Sequence, residues 1–157
     1  MIPRDPAGLG SVLVDAARLA GQRLILSPGW GRVLPRTALQ ASVYVMEECP
    51  HSWLFPQLQG AIHHGGAATT LRHGLPSTVV ACFADQPAWG RTLERLGVSP
   101  ATDRLATLSA ENLARSMRAI ADKPSFRLRA QALQQSLGRD DGLAKVVAAI
   151  EAKLSAA

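Results

Sequence analysis

The chain has 157 residues, 47% of them hydrophobic, with 17 lysines and arginines against 12 aspartates and glutamates and a formal net charge of +5. That length sets one domain, residues 1–157, able to bury about 68–70% of the surface its unfolded chain exposes, and the composition excludes a disordered chain. No apolar run approaches the ~20 residues that span a bilayer, no signal-peptide pattern opens the sequence, and scattered basic residues with only 4% aromatics argue against nucleic acid as a partner.

Taken in chain order, Leu9, Val12, Leu13, Ala16, Ala17 and Ala20 recur at i, i+3, i+4 and predict a first helix. Four short apolar runs then read as strands: residues 23–27 (RLILS), 43–46 (VYVM), 60–63 (GAIH) and 78–82 (TVVAC). Their largely apolar content suits strands buried on both faces. A helix over residues 87–96 opens after Asp85 with a proline early in it, the position proline tolerates. Ser109 caps a helix whose Leu113, Met117 and Ile120 share a face, Pro124 separates it from a helix over 125–137, and Gly142 precedes a last stripe of Leu143, Val146, Val147, Ile150 and Leu154. Strands alternating with helices, followed by a helical tail, predict an α/β domain with a mostly parallel sheet. Cys49 and Cys82 form no metal or redox spacing, so a reducing cytoplasm is the expected compartment.

The stretch AIHHGGAATT, residues 61–70, is a strand, a glycine turn and a helix start. In a doubly wound sheet ligands bind at the carboxyl ends of strands, and free N–H groups at a helix start suit a phosphate. His63 and His64 are adjacent on a strand and point to opposite faces, so they cannot share one ion, and no metal site is expected. Read locally, the same residues also fit an ordinary strand-to-helix turn with an incidental histidine pair.

Residues 49–100 carry several motifs in order: Pro-His-x-Trp-Leu-Phe-Pro at 50–56, His-His-Gly-Gly-Ala-x-Thr-Thr at 63–70, Gly-x-Pro at 74–76, Asp-Gln-Pro-x-Trp-Gly at 85–90 and Leu-Gly-Val-x-Pro at 96–100. Together they resemble the donor-binding domain of family-1-type nucleotide-sugar glycosyltransferases of the GT-B fold, nearest to sterol and bacterial natural-product glucosyltransferases. The resemblance implies a Rossmann-like doubly wound sheet forming the C-terminal half of that fold. It also implies a donor that is a UDP- or TDP-sugar, with no separate cofactor. By position, His63, Gly65, Gly66, Ala67, Ala68 and Thr69 would hold the diphosphate; Cys49, His51 and Trp30 would lie by the nucleotide; Asp85 and Gln86 would bond the sugar hydroxyls. Asp85 is also placed to N-cap its helix. Trp53, Leu54, Phe55 and Trp89 read as packing residues, Cys82 as buried filler, and His73 as a surface group.

Departures from the family pattern shape the remaining expectations. Ala68 stands where glycine is usual, and the stretch from Thr70 to Gly74 is about three residues short, close to one helical turn. Met1 aligns with the methionine after the family's first strand, so that strand, its serine and the N-terminal acceptor domain with its histidine base are expected to be missing. The resemblance then implies the donor half of an inverting hexosyltransferase acting on a lipophilic acceptor, inactive alone. It would be completed by a separate acceptor-domain chain or by a homo-oligomer that pairs the open strand edges. The alternative is a non-catalytic nucleotide-sugar-binding module or partner subunit.

Overall fold

The computed structural model describes residues 3–138 and 142–155. Helix α1 (Pro6–Ala20) begins where the Asp5 carboxylate accepts the Gly8 N–H and ends at Gly21, whose φ of 66° makes a left-handed cap. Strands β1 (Leu24–Leu26) and β2 (Val43–Val45) follow, then the one-turn helix α2 (His51–Leu54) and a 3-10 turn at Phe55–Gln57. Next come β3 (Ala61–His63), α3 (Ala67–Arg72), β4 (Ser77–Ala81), α4 (Gln86–Arg95) and β5 (Thr102–Arg104). The helical tail is α5 (Ala110–Asp122), α6 (Pro124–Gly138) and α7 (Gly142–Ser155).

All pairings are parallel, but the strands form two sheets: β1 with β2, and β3-β4-β5 with β4 central. The expected parallel α/β arrangement is present, and no ladder joins β1 to β3 among the described residues. The double winding itself is present around β4, all five of whose residues are buried. On one face Val79 and Ala81 pack with Ala67, Leu93, Val98 and Ala130 from α3, α4, the loop after it, and α6. On the other, Val80 packs with Ala16 of α1 and Leu113 and Ala114 of α5. Alternating residues of one strand thus hold helices on both sides, as a central parallel strand must.

The structure differs from the sequence reading at four points. Strand β5 was not foreseen, because Thr-Asp-Arg lacks an apolar pattern and lies at the sheet edge, where one side needs no partner. Ile25 and Tyr44 are exposed, so β1 and β2 are not covered on both faces. Trp53 is also exposed, and the Leu143–Val146–Val147–Ile150–Leu154 stripe of α7 lies open. Those side chains follow helical periodicity, yet periodicity names a face without naming what covers it.

Two close approaches fix the loops that bear on the site. A Cβ at Gly10 would meet the Leu34 carbonyl carbon at 2.4 Å, so the loop after β1 runs tightly across α1. A Cβ at Gly90 would meet Thr102 Oγ1 at 2.3 Å and Cγ2 at 2.4 Å, so α4 rests directly on β5. Gly90→Ala therefore overpacks that contact and is expected to lose about 1–3 kcal/mol in a urea titration, with an unchanged denaturant slope.

Candidate functional site

Parallel strands in one sheet send their carboxyl ends to one edge, and the loops there carry the residues singled out in the sequence. After β3 comes the glycine turn. His63, half-buried, accepts the Gly65 N–H on its Nδ1 at 3.0 Å, and its Nε2 lies 2.9 Å from Ser77 Oγ. Gly65 has φ of 124°, a conformation that a side chain resists. Gly66 then caps α3, and no side chain bonds to that helix start. The N–H groups of Gly66, Ala67, Ala68 and Thr69 are therefore the orphan donors of a helix's first turn, and no loop carbonyl among the described residues takes them. Ala68 and Thr69 are exposed while Ala67 is buried in the core, so the exposed Ala68 side chain meets no crowding.

Behind the turn, α3 is held at its far end. Gln134 of α6 donates to the Arg72 carbonyl at 3.0 Å, and Leu75 N–H reaches back to Thr70 O at 3.0 Å. Gly74, at φ of 59°, turns the chain into β4 after only six helical residues. The Thr70–Gly74 stretch thus closes with the Thr70, Leu71 and Arg72 carbonyls satisfied.

The start of α4 presses against the same turn. A Cβ on Gly65 would sit 2.9 Å from Gln86 Cβ and 3.1 Å from its Cα. Gln86 is 8% exposed, and its Oε1 accepts the N–H groups of Cys82 at 2.8 Å and Phe83 at 3.2 Å. Only its Nε2 hydrogens remain for a ligand. Asp85 does not N-cap α4 through its side chain; the carboxylate instead accepts the Trp89 indole N–H at 3.0 Å. Trp89 therefore orients Asp85 and is half exposed, a partnership the sequence reading assigned to packing. Ala84, beside Asp85, has φ of 53°, a strained value for a residue with a Cβ. A cavity of about 270 Å³ opens here, lined by Cys82, Phe83, Ala84, Pro87 and Arg104 among others. A larger hollow of about 350 Å³, beside Asp103, Arg115 and Ser116, shares no residue with the turn. Burial raises the Asp103 pKa, with Arg115 opposing and Glu94 adding, and its Oδ2 is buried without a hydrogen bond.

The remaining predicted residues sit on separate loops. Trp30 is 97% exposed, on a loop closed by Val33 N–H to Pro28 O at 3.0 Å. Cys49 is half-buried, with its thiol directed to the Pro50 carbonyl, and Cys82 is likewise a free, half-buried thiol that burial makes less acidic. His51 starts α2 and lies 4.6 Å from the Phe55 ring, which meets His73 edge-on at 5.4 Å. His73 is thus half-buried against Phe55, and that stack ties His51 to the end of α3. No hydrogen bond joins Trp30, Cys49 or His51 to the glycine turn among the described residues. The sequence reading missed Ser77, which opens a strand whose apolar run draws attention to its later residues; only the folded ladder brings it under His63.

A parallel α/β layer with helices on both faces, a glycine turn after β3 and an acid–amide pair after β4 define the C-terminal domain of a GT-B glycosyltransferase. Residues 31–152 match the family described as "Erythromycin biosynthesis protein CIII-like, C-terminal domain", and the chain belongs to that family. It is 36% identical over 154 residues to the sterol 3-beta-glucosyltransferase UGT80B1 of Arabidopsis thaliana, covering 96% of this chain and 25% of that protein. It is 35% identical over 141 residues to the O-mycaminosyltylonolide 6-deoxyallosyltransferase of Streptomyces fradiae, covering 88% of this chain and 32% of that protein. The chain therefore spans about a quarter to a third of the length of these curated relatives. In fold it matches the spinosyn forosaminyltransferase SpnP, with a TM-score of 0.75, 22% identity and coverage of 98% of this chain and 39% of that one. The spinosyn rhamnosyltransferase SpnG complexed with thymidine diphosphate matches with a TM-score of 0.73 and 22% identity, over 96% of this chain and 44% of that one. Among the described residues no helix is long and apolar enough to cross a membrane, and no cluster of three metal-ligating side chains occurs.

Two predictions follow from this geometry. Gly65→Ala combines a strained φ with a collision against Gln86 and is expected to cost about 2–4 kcal/mol, read by urea titration. Burial, with His64 adding repulsion, lowers the His63 pKa to about 4. The unfolded chain then binds the proton more readily than the folded one, so stability is complete above about pH 6.5 and falls as pH drops toward about 4. The loss has a ceiling of about 3 kcal/mol and is checked by denaturation at several pH values beside an NMR titration of the ring.

Proposed function

We propose that this domain binds a UDP- or TDP-hexose and presents it for inverting transfer to a lipophilic hydroxyl acceptor. The observation that carries this reading is the row of unbonded amides from Gly66 to Thr69, set behind the positive-φ Gly65 and beside Asp85 and Gln86. Those N–H groups would face the diphosphate, where the positive end of the short α3 adds to their attraction. Asp85, already oriented by Trp89, would accept from sugar hydroxyls, and the free Nε2 of Gln86 would donate to them. Trp30, Cys49 and His51 would border the nucleotide on the neighbouring loops. The names of the relatives, a sterol glucosyltransferase and a macrolide deoxyallosyltransferase, support a lipophilic acceptor.

In such a transfer the acceptor hydroxyl loses its proton and attacks the anomeric carbon while the nucleoside diphosphate departs. The share of this chain is to stabilise the charge that develops on the leaving group, through donors fixed before the reaction begins. His63 is poorly suited to take the acceptor proton, because its Nδ1 lone pair is already engaged by Gly65. We assign proton removal to an acceptor-binding unit outside these residues.

Calorimetry with TDP, UDP and their glucose conjugates tests the reading. Saturable binding below millimolar concentration is expected, and an absence of heat at millimolar concentration with every nucleotide would reject it. Asp85→Ala is expected to weaken the nucleotide-glucose conjugate about 10–100-fold, the worth of a hydrogen bond to a charged group, while leaving the bare nucleotide unchanged.

A further inference from the structure

Asp85, just before α4, and Trp89, inside it, stand four residues apart, the spacing at which side chains of a helix meet. An aspartate at a helix start ordinarily turns back to accept an N–H of the first turn. Here that use is closed. Pro87 has no N–H to offer, and the Ala88 N–H is already taken by the Asp85 carbonyl at 2.9 Å. Asp85 itself is helical, at φ of −80° and ψ of −10°, rather than in the extended conformation from which side chains cap. Among the described residues the carboxylate is left with one donor, the Trp89 indole N–H at 3.0 Å from Oδ2, and no hydrogen bond reaches Oδ1.

The donor stands on a fixed base. Gln86, Gly90 and Leu93 form the buried face of α4, and Gly90, next to Trp89, presses so closely on Thr102 that a Cβ would stand 2.3 Å from Oγ1. An indole N–H donates only and is neutral, so it holds the carboxylate without cancelling its charge. The neighbouring amide is anchored in the same manner, with Oε1 taken by Cys82 and Phe83 and Nε2 left over. Each member of the pair thus has one end tied to protein and one end open, an acceptor on Asp85 and a donor on Gln86.

We propose that Trp89 is a positioning residue for sugar recognition: its N–H holds the Asp85 carboxylate in one rotamer, so that Oδ1 meets a hydroxyl of the hexose beside the Gln86 amide. This deepens the donor-binding reading above and rests on it. A sugar hydroxyl both donates and accepts, and the half-anchored pair answers both needs. Without the indole N–H the exposed carboxylate is free to rotate, and binding must first order it. That cost falls on the sugar and not on the nucleotide. Phenylalanine at position 89 keeps an aromatic ring on the helix and removes the donor.

The test combines calorimetry using UDP, TDP and their glucose conjugates with NMR of the indole N–H signals, on the whole chain as wild type, Trp89→Phe, Asp85→Ala and the double variant. Trp89→Phe is expected to weaken the conjugates about 3–10-fold, the scale of one net hydrogen bond, and to leave the bare nucleotides unchanged. With Asp85→Ala already present, the same substitution should change nothing, because no carboxylate remains to be held. The wild-type Trp89 N–H signal, identified by its response to Asp85→Ala, should shift when a conjugate is added and hold its place with bare nucleotide. Trp89→Phe with the wild-type preference for conjugate over nucleotide overturns the proposal, as does an equal loss of conjugate affinity with and without Asp85. Should Trp89→Phe fail to fold, the wild-type signal decides, and an equal response to conjugate and bare nucleotide overturns the proposal. A wild type that binds no nucleotide at millimolar concentration rejects the donor reading and this proposal with it, whereas nucleotide binding with an unaltered preference in Trp89→Phe rejects the proposal alone.

Discussion

The backbone of Gly65 passes so close to Gln86 that there is no room between them for a single carbon. This contact joins the loop after β3 to the start of α4, and the arrangement of the site depends on it. Because Gly65 sits at φ of 124°, the chain leaves β3 and turns at once into α3, leaving the first amides of that helix unbonded. Because Gln86 lies beneath it, the Gln86 Oε1 is free to tie down the end of β4 through Cys82 and Phe83, and Asp85 is carried to the rim. A side chain at position 65 would push the turn and the helix start apart and separate the amides from the acid–amide pair.

That contact is possible only because β4 is rigid. Its five residues are buried, with helices packed on both sides, and β3 and β5 flank it in parallel. Loops springing from such a strand inherit its precision, since the scaffold below them has close packing and little freedom to shift. The β1–β2 pair is a different environment: three residues in each strand, with one face open, carrying the more exposed loops of Trp30 and Cys49. The residues that contact one another directly are those on the three-stranded sheet.

Two side chains that a motif presents as ligands are already engaged with the protein. His63 uses both ring nitrogens, and Gln86 uses its carbonyl oxygen. Motif order carries the family assignment well, since residues 31–152 match it as a unit. It says little about which atom of a residue remains available, because that is settled by neighbours such as Ser77, outside the motifs, and Trp89, within one of them.

Local chemistry was enough to locate the parts. The periodicity of α1, the Ser109 cap, the Pro124 break and the apolar runs of β1 to β4 all depend on residues within a turn or two of one another, whereas the glycine turn read by itself fitted both a phosphate cradle and an ordinary strand-to-helix turn. Contacts between distant segments were invisible in it. The polar edge strand β5, the open stripe of α7, the exposure of Trp53 and the hydrogen bonds from Ser77 through His63 to Gly65 each depend on what packs beside what. Periodicity and propensity act along the chain, whereas burial and hydrogen-bond partnership are properties of space. Only the folded ladder could set Ser77 beneath His63 and leave Trp30 in water.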